Sequence, residues 1–305
     1  MQPHQDRPLL GILLMLGFCV TAPLGDAVAK LLGGVLPVLQ LVFLRFALQA
    51  VLLAPVVAAT GRDWRMTRRL AGLTLLRTLL HIGGIAMMFA ALVHLPLADA
   101  IAIAFVMPFL LLLLGRFVLD EEVGARRLGA CAVGFAGTLM VVQPAFEEVG
   151  PPALLPLGVA VTFALFMLVT RKIARDTDPV ALQAVSGVMA VVLLAPALLF
   201  LPGPVFAWVA PAGGDWALIL TLGALGTAGH LLMTWSLRFA PGATLAPMQY
   251  LEIPVATLIG FAIFGDLPDP LAAAGIAVTV ASGLYIVLRE RALSRAATRV
   301  APPAA

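Results

Sequence analysis

The chain has 305 residues, of which 62% are hydrophobic and only 11% charged, with a formal net charge of +3 and a mean hydropathy of +1.06. A soluble fold of this length needs a polar coat that these numbers exclude, so the chain is read as a polytopic membrane protein. Its basic excess sits in loop arginines, as set out below, and is no argument for nucleic acid.

Ten apolar spans are predicted in chain order: residues 9–32, 36–59, 70–92, 97–119, 128–142, 153–170, 180–201, 216–237, 243–264 and 271–288. The fold class is therefore an all-α membrane protein with ten transmembrane helices. The fifth and sixth spans are short for the roughly 20 residues that cross a bilayer, and their ends are expected to extend into flanking Gly or Pro segments. The first follows a single Arg and outruns the roughly 7–15 residues of a signal-peptide core, so it reads as a signal anchor. Cys19 and Cys131 lie inside spans without a CxxC pattern, which points to neither a disulfide nor zinc. No cofactor is expected.

Of the 19 Lys and Arg residues, all but Lys30, Arg45 and Arg77 fall at one set of span ends. These are Arg7; Arg62, Arg65, Arg68 and Arg69; Arg116, Arg126 and Arg127; Arg171, Lys172 and Arg175; Arg238; and Arg289, Arg291, Arg295 and Arg299. The opposite loops carry Glu147, Glu148, Asp215, Asp266 and Asp269. This is the positive-inside pattern, and it predicts a multi-pass inner-membrane protein with both termini cytoplasmic.

The region from Leu97 to Pro144 recurs in the second half. At an offset of 146, Pro108 falls on Pro254, Asp120 on Asp266, Gly129 on Gly275 and Gly137 on Gly283; upstream the offset is 145, matching Gly84 to Gly229, Ala91 to Ser236, Pro96 to Pro241 and Ala98 to Ala243. A period near half the chain is a duplication rather than a solenoid. Five spans per copy is odd, so the copies, 9–142 and 153–288, should enter the membrane from opposite faces. Residues 289–305 form a basic, then Ala/Pro-rich cytoplasmic tail. Inverted repeats place a substrate site near the midplane between the halves, which favours a transporter over other duplicated membrane proteins.

The segments Pro108 to Glu121 and Glu252-Ile253-Pro254 to Asp266 resemble the repeated fourth helix, with its Leu-Gly-Glu-like turn, of the EamA-type branch of the drug/metabolite transporter superfamily. Arg45, in Phe43-Leu44-Arg45-Phe46, is similar to that branch's frequent second-helix arginine. The turns Leu119-Asp120-Glu121 and Phe264-Gly265-Asp266 depart from the family pattern. The resemblance spans about Leu9 to Leu288 and implies a carrier of small metabolites. Family members export amino acids and other metabolites, whereas relatives import riboflavin or S-adenosylmethionine, or exchange sugar phosphates and nucleotide sugars.

Ionisable groups inside spans cost about 2.5–3.5 kcal/mol each on insertion scales and so face a cavity or a partner. Asp26 and Lys30, four apart, are expected to form an intrahelical ion pair toward the outer face. Arg77 and His81 share a helix face and need an acid, a carbonyl or a ligand. Arg45, near mid-depth, can hold a carboxylate or phosphate bidentately, or pair with Glu252, or exchange one for the other. Gly223, Gly226 and Gly229 offer close helix packing beside His230, and Trp235 is either a ligand wall or interface filler. Pro247 and Pro254 flank Gln249, Tyr250 and Glu252; with Pro108 and Pro254 as helix-kink points, freed carbonyls make these three cavity candidates. Glu252 is also the candidate proton carrier, and proton coupling stays open.

The four serines, Ser186, Ser236, Ser282 and Ser294, stand in no Gly-x-Ser-x-Gly setting and no HExxH occurs, so an intramembrane enzyme is a remote alternative. A channel lacks a repeated filter-like loop. The chain is read as a non-enzymatic secondary transporter of an amino acid or related metabolite, with export implied by the resemblance. Uptake of riboflavin or S-adenosylmethionine is the alternative, and an aromatic content of 7% counts weakly against riboflavin. A monomer and a homodimer are equally compatible.

Overall fold

The computed structural model describes residues 8–118, 125–173, 176–240, 245 and 248–300. Several sequence expectations lie outside these residues: the turn at Leu119-Asp120-Glu121, the matches at Asp120, Pro241 and Ala243, the flanking Pro247, and Arg7 and Arg175. Among the described residues every regular element is helical: α1 (Pro8–Gly33), α2 (Val38–Thr60), α3 (Arg68–Leu92), α4 (Leu97–Ala104), α5 (Met107–Val118), α6 (Ala125–Val149), α7 (Leu155–Ile173), α8 (Pro179–Phe200), α9 (Asp215–Phe239), α10 (Glu252–Phe264) and α11 (Pro270–Val300). Single 3-10 turns stand at Pro151–Leu154 and Pro204–Phe206.

Among the described residues seven helical stretches are long and apolar enough to cross a membrane, and Leu97–Leu110, Glu252–Phe264 and Pro270–Ile286 are shorter apolar helices. Large apolar side chains such as Leu9, Val192, Leu199 and Phe200 remain exposed on the outer faces, which suits a surface solvated by lipid.

The span expected at 97–119 is two helices. Pro108 has no N–H, so the carbonyl of Ala104 loses its helical donor. The chain turns at Phe105 and Val106 before α5 resumes, with the Phe109 N–H reaching back only to Val106 O at 3.1 Å. The second copy breaks at the corresponding place, with turns at Tyr250 and Leu251 ahead of α10; Pro254 there deprives the Tyr250 carbonyl in the same way. The fifth span is longer than expected: α6 runs to Val149, so Glu147 and Glu148 belong to its last turns and not to a loop. At the other end of the chain, residues 289–300 prolong α11.

The main helix contacts join the first half of the chain to the second. Helix α1 lies along α9, α2 along α8, α3 along α7 and α6 along α11, with α4 against α10. The core is therefore built between the halves rather than within each one. Small residues set the closest approaches. At the α6–α11 crossing a Cβ on Gly275 would stand 2.5 Å from the Gly137 carbonyl oxygen, and one on Gly137 2.7 Å from Thr279 Oγ1. Across the same interface the Ser282 hydroxyl donates to Ala130 O at 2.5 Å.

Among the described residues two ion pairs tie the halves at opposite ends, each placed by a left-handed glycine. Gly61 (φ 60°) closes α2 and hands the chain to Arg62, whose Nη1 donates to Asp178 Oδ2 at 2.5 Å. Asp178 also caps α8, its Oδ1 accepting from the N–H groups of Val180 and Ala181 at 3.0 Å. Gly265 (φ 73°) closes α10 and delivers Asp266, whose Oδ2 accepts from Lys30 Nζ at 3.1 Å. An L side chain is strained at either glycine.

Candidate functional site

A cavity of about 140 Å³ opens between the halves. Helix α1 contributes Phe18, Thr21, Gly25 and Asp26, α2 contributes Arg45, and α3 contributes His81, Gly84 and Met88. The end of α4 supplies Ala104 and the break after it Phe105, α7 supplies Phe163, and α9 supplies Gly226, Gly229 and His230. Gln249 and Glu252 close the site from the second broken helix. Both helix breaks thus meet the cavity, which is where irregular backbone is tolerated inside a membrane.

Arg45 is 3% exposed. Its Nη2 donates to Gly226 O at 3.4 Å, and its guanidinium lies 4.8 Å from the Phe46 ring centroid. Among the described residues Nη1 has no hydrogen-bond partner. The ion pair with Glu252 that the sequence allowed is absent from the described contacts; Glu252 and Asp26 instead share the cavity wall with Arg45. The glycine stripe on α9 makes this arrangement possible. A Cβ on Gly226 would stand 2.7 Å from Arg45 Nε, one on Gly223 would meet Leu48 at 2.5 Å, and one on Gly229 would meet Thr21 Oγ1 at 2.9 Å. The stripe therefore packs α9 against α1 and α2 and also leaves room for the guanidinium.

His81 and His230 meet across the cavity, Nε2 to Nε2 at 3.1 Å. One ring must donate and the other accept, so at least one is neutral in this arrangement. Among the described residues both buried Nδ1 atoms have no partner. His230 is fixed from behind by Gln183, whose Nε2 donates to His230 O and to Thr234 Oγ1, each at 3.2 Å; Gln49 Nε2 in turn donates to Gln183 O at 2.7 Å. Sequence reasoning missed this amide chain because Gln49 and Gln183 carry no charge and no motif. Gln249 is held near the cavity by its neighbour Met248, whose carbonyl accepts from the Cys19 thiol at 3.2 Å.

Other candidates stand elsewhere. Arg77 is fully buried and does not line the cavity: Nε donates to Thr170 Oγ1 at 2.9 Å, Nη1 to Ser186 Oγ at 3.0 Å, and the guanidinium covers the Phe166 ring at 4.4 Å. It joins α3 to α7 and α8. Trp235 packs beside Leu53, Val57 and Val180 and is not among the residues lining the cavity. The Tyr250 ring lies 5.4 Å from that of Phe105, tilted by 49°, so side chains of the two helix breaks touch, and it fills the space that Gly283 leaves. Lys30 corrects the expected pairing with Asp26: its Nζ turns to Leu95 O at 2.7 Å and to Asp266. A carboxylate from the loop after α10, together with a carbonyl of the α3–α4 connection, satisfies the ammonium better than one i,i−4 neighbour. Asp26 is thereby left for the cavity, a position that spacing along α1 alone did not indicate.

Arg77→Lys keeps the charge but cannot span both hydroxyls. It is expected to cost about 1.5–3 kcal/mol, the worth of one hydrogen bond to a charged group. Thermal unfolding in detergent should show a lowered midpoint, with substrate affinity kept; an unchanged midpoint would mean the fork carries no stability.

The fold and the inter-half cavity describe a multi-pass membrane protein with a solute-sized site between its halves. The chain belongs to the EamA-like transporter family, which matches it over residues 9–143 and 151–288. It is 25% identical to the S-adenosylmethionine uptake transporter of Rickettsia prowazekii (strain Madrid E), over 93% of this chain and 94% of that one. A riboflavin transporter of Rhizobium johnstonii is 30% identical over 71% of this chain and 70% of its own. A crystal structure of a protein 22% identical in sequence superposes with a TM-score of 0.64, covering 93% of this chain and 97% of that one, and shares its fold.

Proposed function

We propose that the chain is a secondary transporter of the inner membrane carrying a small metabolite with an α-amino-acid group, by alternating access between two inverted repeats, 9–142 and 153–288. The observation that carries this reading is Arg45: a buried guanidinium whose Nη1 has no partner among the described residues, on a cavity wall shared with Asp26 and Glu252. A guanidinium matches a carboxylate bidentately, and two carboxylates nearby suit an ammonium or another cationic centre. The inverted arrangement is supported by the crossed helix pairs, α1 with α9 and α3 with α7, and by breaks that follow Ala104 and fall at Tyr250, one repeat offset apart.

S-adenosylmethionine is the second, narrower reading. It carries an amino-acid end and a cationic centre, and the Rickettsia relative's name supports uptake where the resemblance implied export. Counterflow in proteoliposomes preloaded with amino acids, S-adenosylmethionine or riboflavin tests both. Exchange of an amino-acid-bearing solute supports the proposal, whereas exchange of riboflavin alone removes the role assigned to Arg45.

Alternating access also requires the two end ties to open in turn. The chain reverses direction between Lys30 and Arg62, so Lys30–Asp266 and Arg62–Asp178 guard opposite entrances. In the pair Lys30→Cys and Asp266→Cys, cross-linking with a short, reducible bis-methanethiosulfonate that spans the distance left by the lysine stem is expected to stop counterflow, and reduction to restore it. Full exchange in the cross-linked protein would show that this end need not open.

A further inference from the structure

A second concavity, separate from the inter-half cavity, lies where the α2–α3 connection passes α8 and has a volume of about 1020 Å³. Its deep wall is apolar, with Val57 and Ala184 buried beneath Val185 and Val188. Its rim is basic: Arg62 and Arg65 line it, and Arg68 and Arg69 follow at the exposed start of α3. Two carboxylates are near: Asp63, which accepts from the Arg65 N–H at 2.9 Å, and Asp178, which is engaged by Arg62 and by the α8 cap. Four arginines against two carboxylates leave the rim net positive. Arg62 Nε is buried without a partner among the described residues. Trp64, 67% exposed on the same rim, is the amphipathic ring that settles at the level of lipid headgroups.

An apolar floor beneath a basic rim with an exposed indole suits a groove at the membrane boundary. We propose that this groove binds an anionic glycerophospholipid, its phosphate between Arg62 and Arg65 and an acyl chain along Val57, Val185 and Val188. Basic pockets between helices at the membrane surface hold such headgroups. The occupant would brace α2 against α8, a contact between the halves, at the end that Arg62–Asp178 closes. The inference uses the membrane placement of the chain and is independent of the substrate reading.

The test uses the full chain in lipid–detergent micelles without substrate. Phosphatidylglycerol with brominated acyl chains is compared with phosphatidylcholine carrying the same chains, and tryptophan quenching is read against Trp64→Phe. The expected result is stronger quenching by phosphatidylglycerol, lost in Trp64→Phe and weakened about fivefold in apparent affinity by Arg65→Gln. Arg65 is the chosen variant because its exposed side chain leaves the Arg62–Asp178 tie intact. Equal quenching by the two lipids, or an unchanged affinity in Arg65→Gln, overturns the proposal. Displacement of phosphatidylglycerol by millimolar inorganic phosphate also overturns it, since the rim would then be a plain anion site.

Discussion

Arg45→Ala is expected to lower transport of the cognate solute by about a hundredfold or more, while the protein elutes as a folded, monodisperse species. The magnitude follows from removing one partner of a desolvated charge pair, which costs about 3–5 kcal/mol. The substrate carboxylate would be left facing Asp26 and Glu252 with no cation to offset them. Arg45→Lys retains the charge and loses the bidentate fork, so an intermediate loss of about tenfold is expected, equal to one hydrogen bond to a charged group. Gly226→Ala offers a check that leaves Arg45 in place. The new methyl would crowd Nε from an ideal position 2.7 Å away, so affinity should fall while helix packing survives. Wild-type transport in folded Arg45→Ala would remove the anchor of the functional proposal.

The largest structural effect is expected at the α6–α11 crossing. In Gly275→Leu the added side chain enters the space of the Gly137 carbonyl, Met140 and Val141. Backbone cannot yield as a flexible side-chain tip can, so the cost should reach or exceed the roughly 1–3 kcal/mol typical of overpacking. In a thermal-stability assay in detergent this corresponds to a drop of about 5 °C or more. Gly129, the first-copy counterpart of Gly275, has nothing within 4 Å of its Cβ position, and Gly129→Leu should be tolerated. Equal stability of the two variants would mean that the close α6–α11 contact does not hold the halves together.

That contrast marks the boundary between what is written in the chain and what packing decides. The apolar runs, the one-sided placement of arginines and the internal offset are properties of the sequence alone, because membrane solvation acts on each segment before any helix meets another. The helix breaks were partly legible too, since Pro108 and Pro254 remove a donor wherever they stand, although the resulting division of α4 from α5 was expected only as a kink. The list of intramembrane ionisable groups was readable, and Arg45, His81, His230, Gln249 and Glu252 all meet at one cavity.

Their partners were not readable. Periodicity along one helix specifies neighbours three or four residues away, which is why Asp26 and Lys30 looked like a pair. Lys30 found Asp266 instead, 236 positions along the chain, because the packing of α1 beside the end of α10 brought a better-placed carboxylate. Arg77 likewise shares a face with His81, yet it points to Thr170 and Ser186, hydroxyls too common in sequence to stand out. Composition and spacing determined that this chain is a duplicated bundle of membrane helices with charges it must satisfy internally. Only the crossing of the halves decided which charges satisfy one another and which, as with Arg45 and Asp26, are left facing the cavity, because those contacts depend on where two distant helices come to lie.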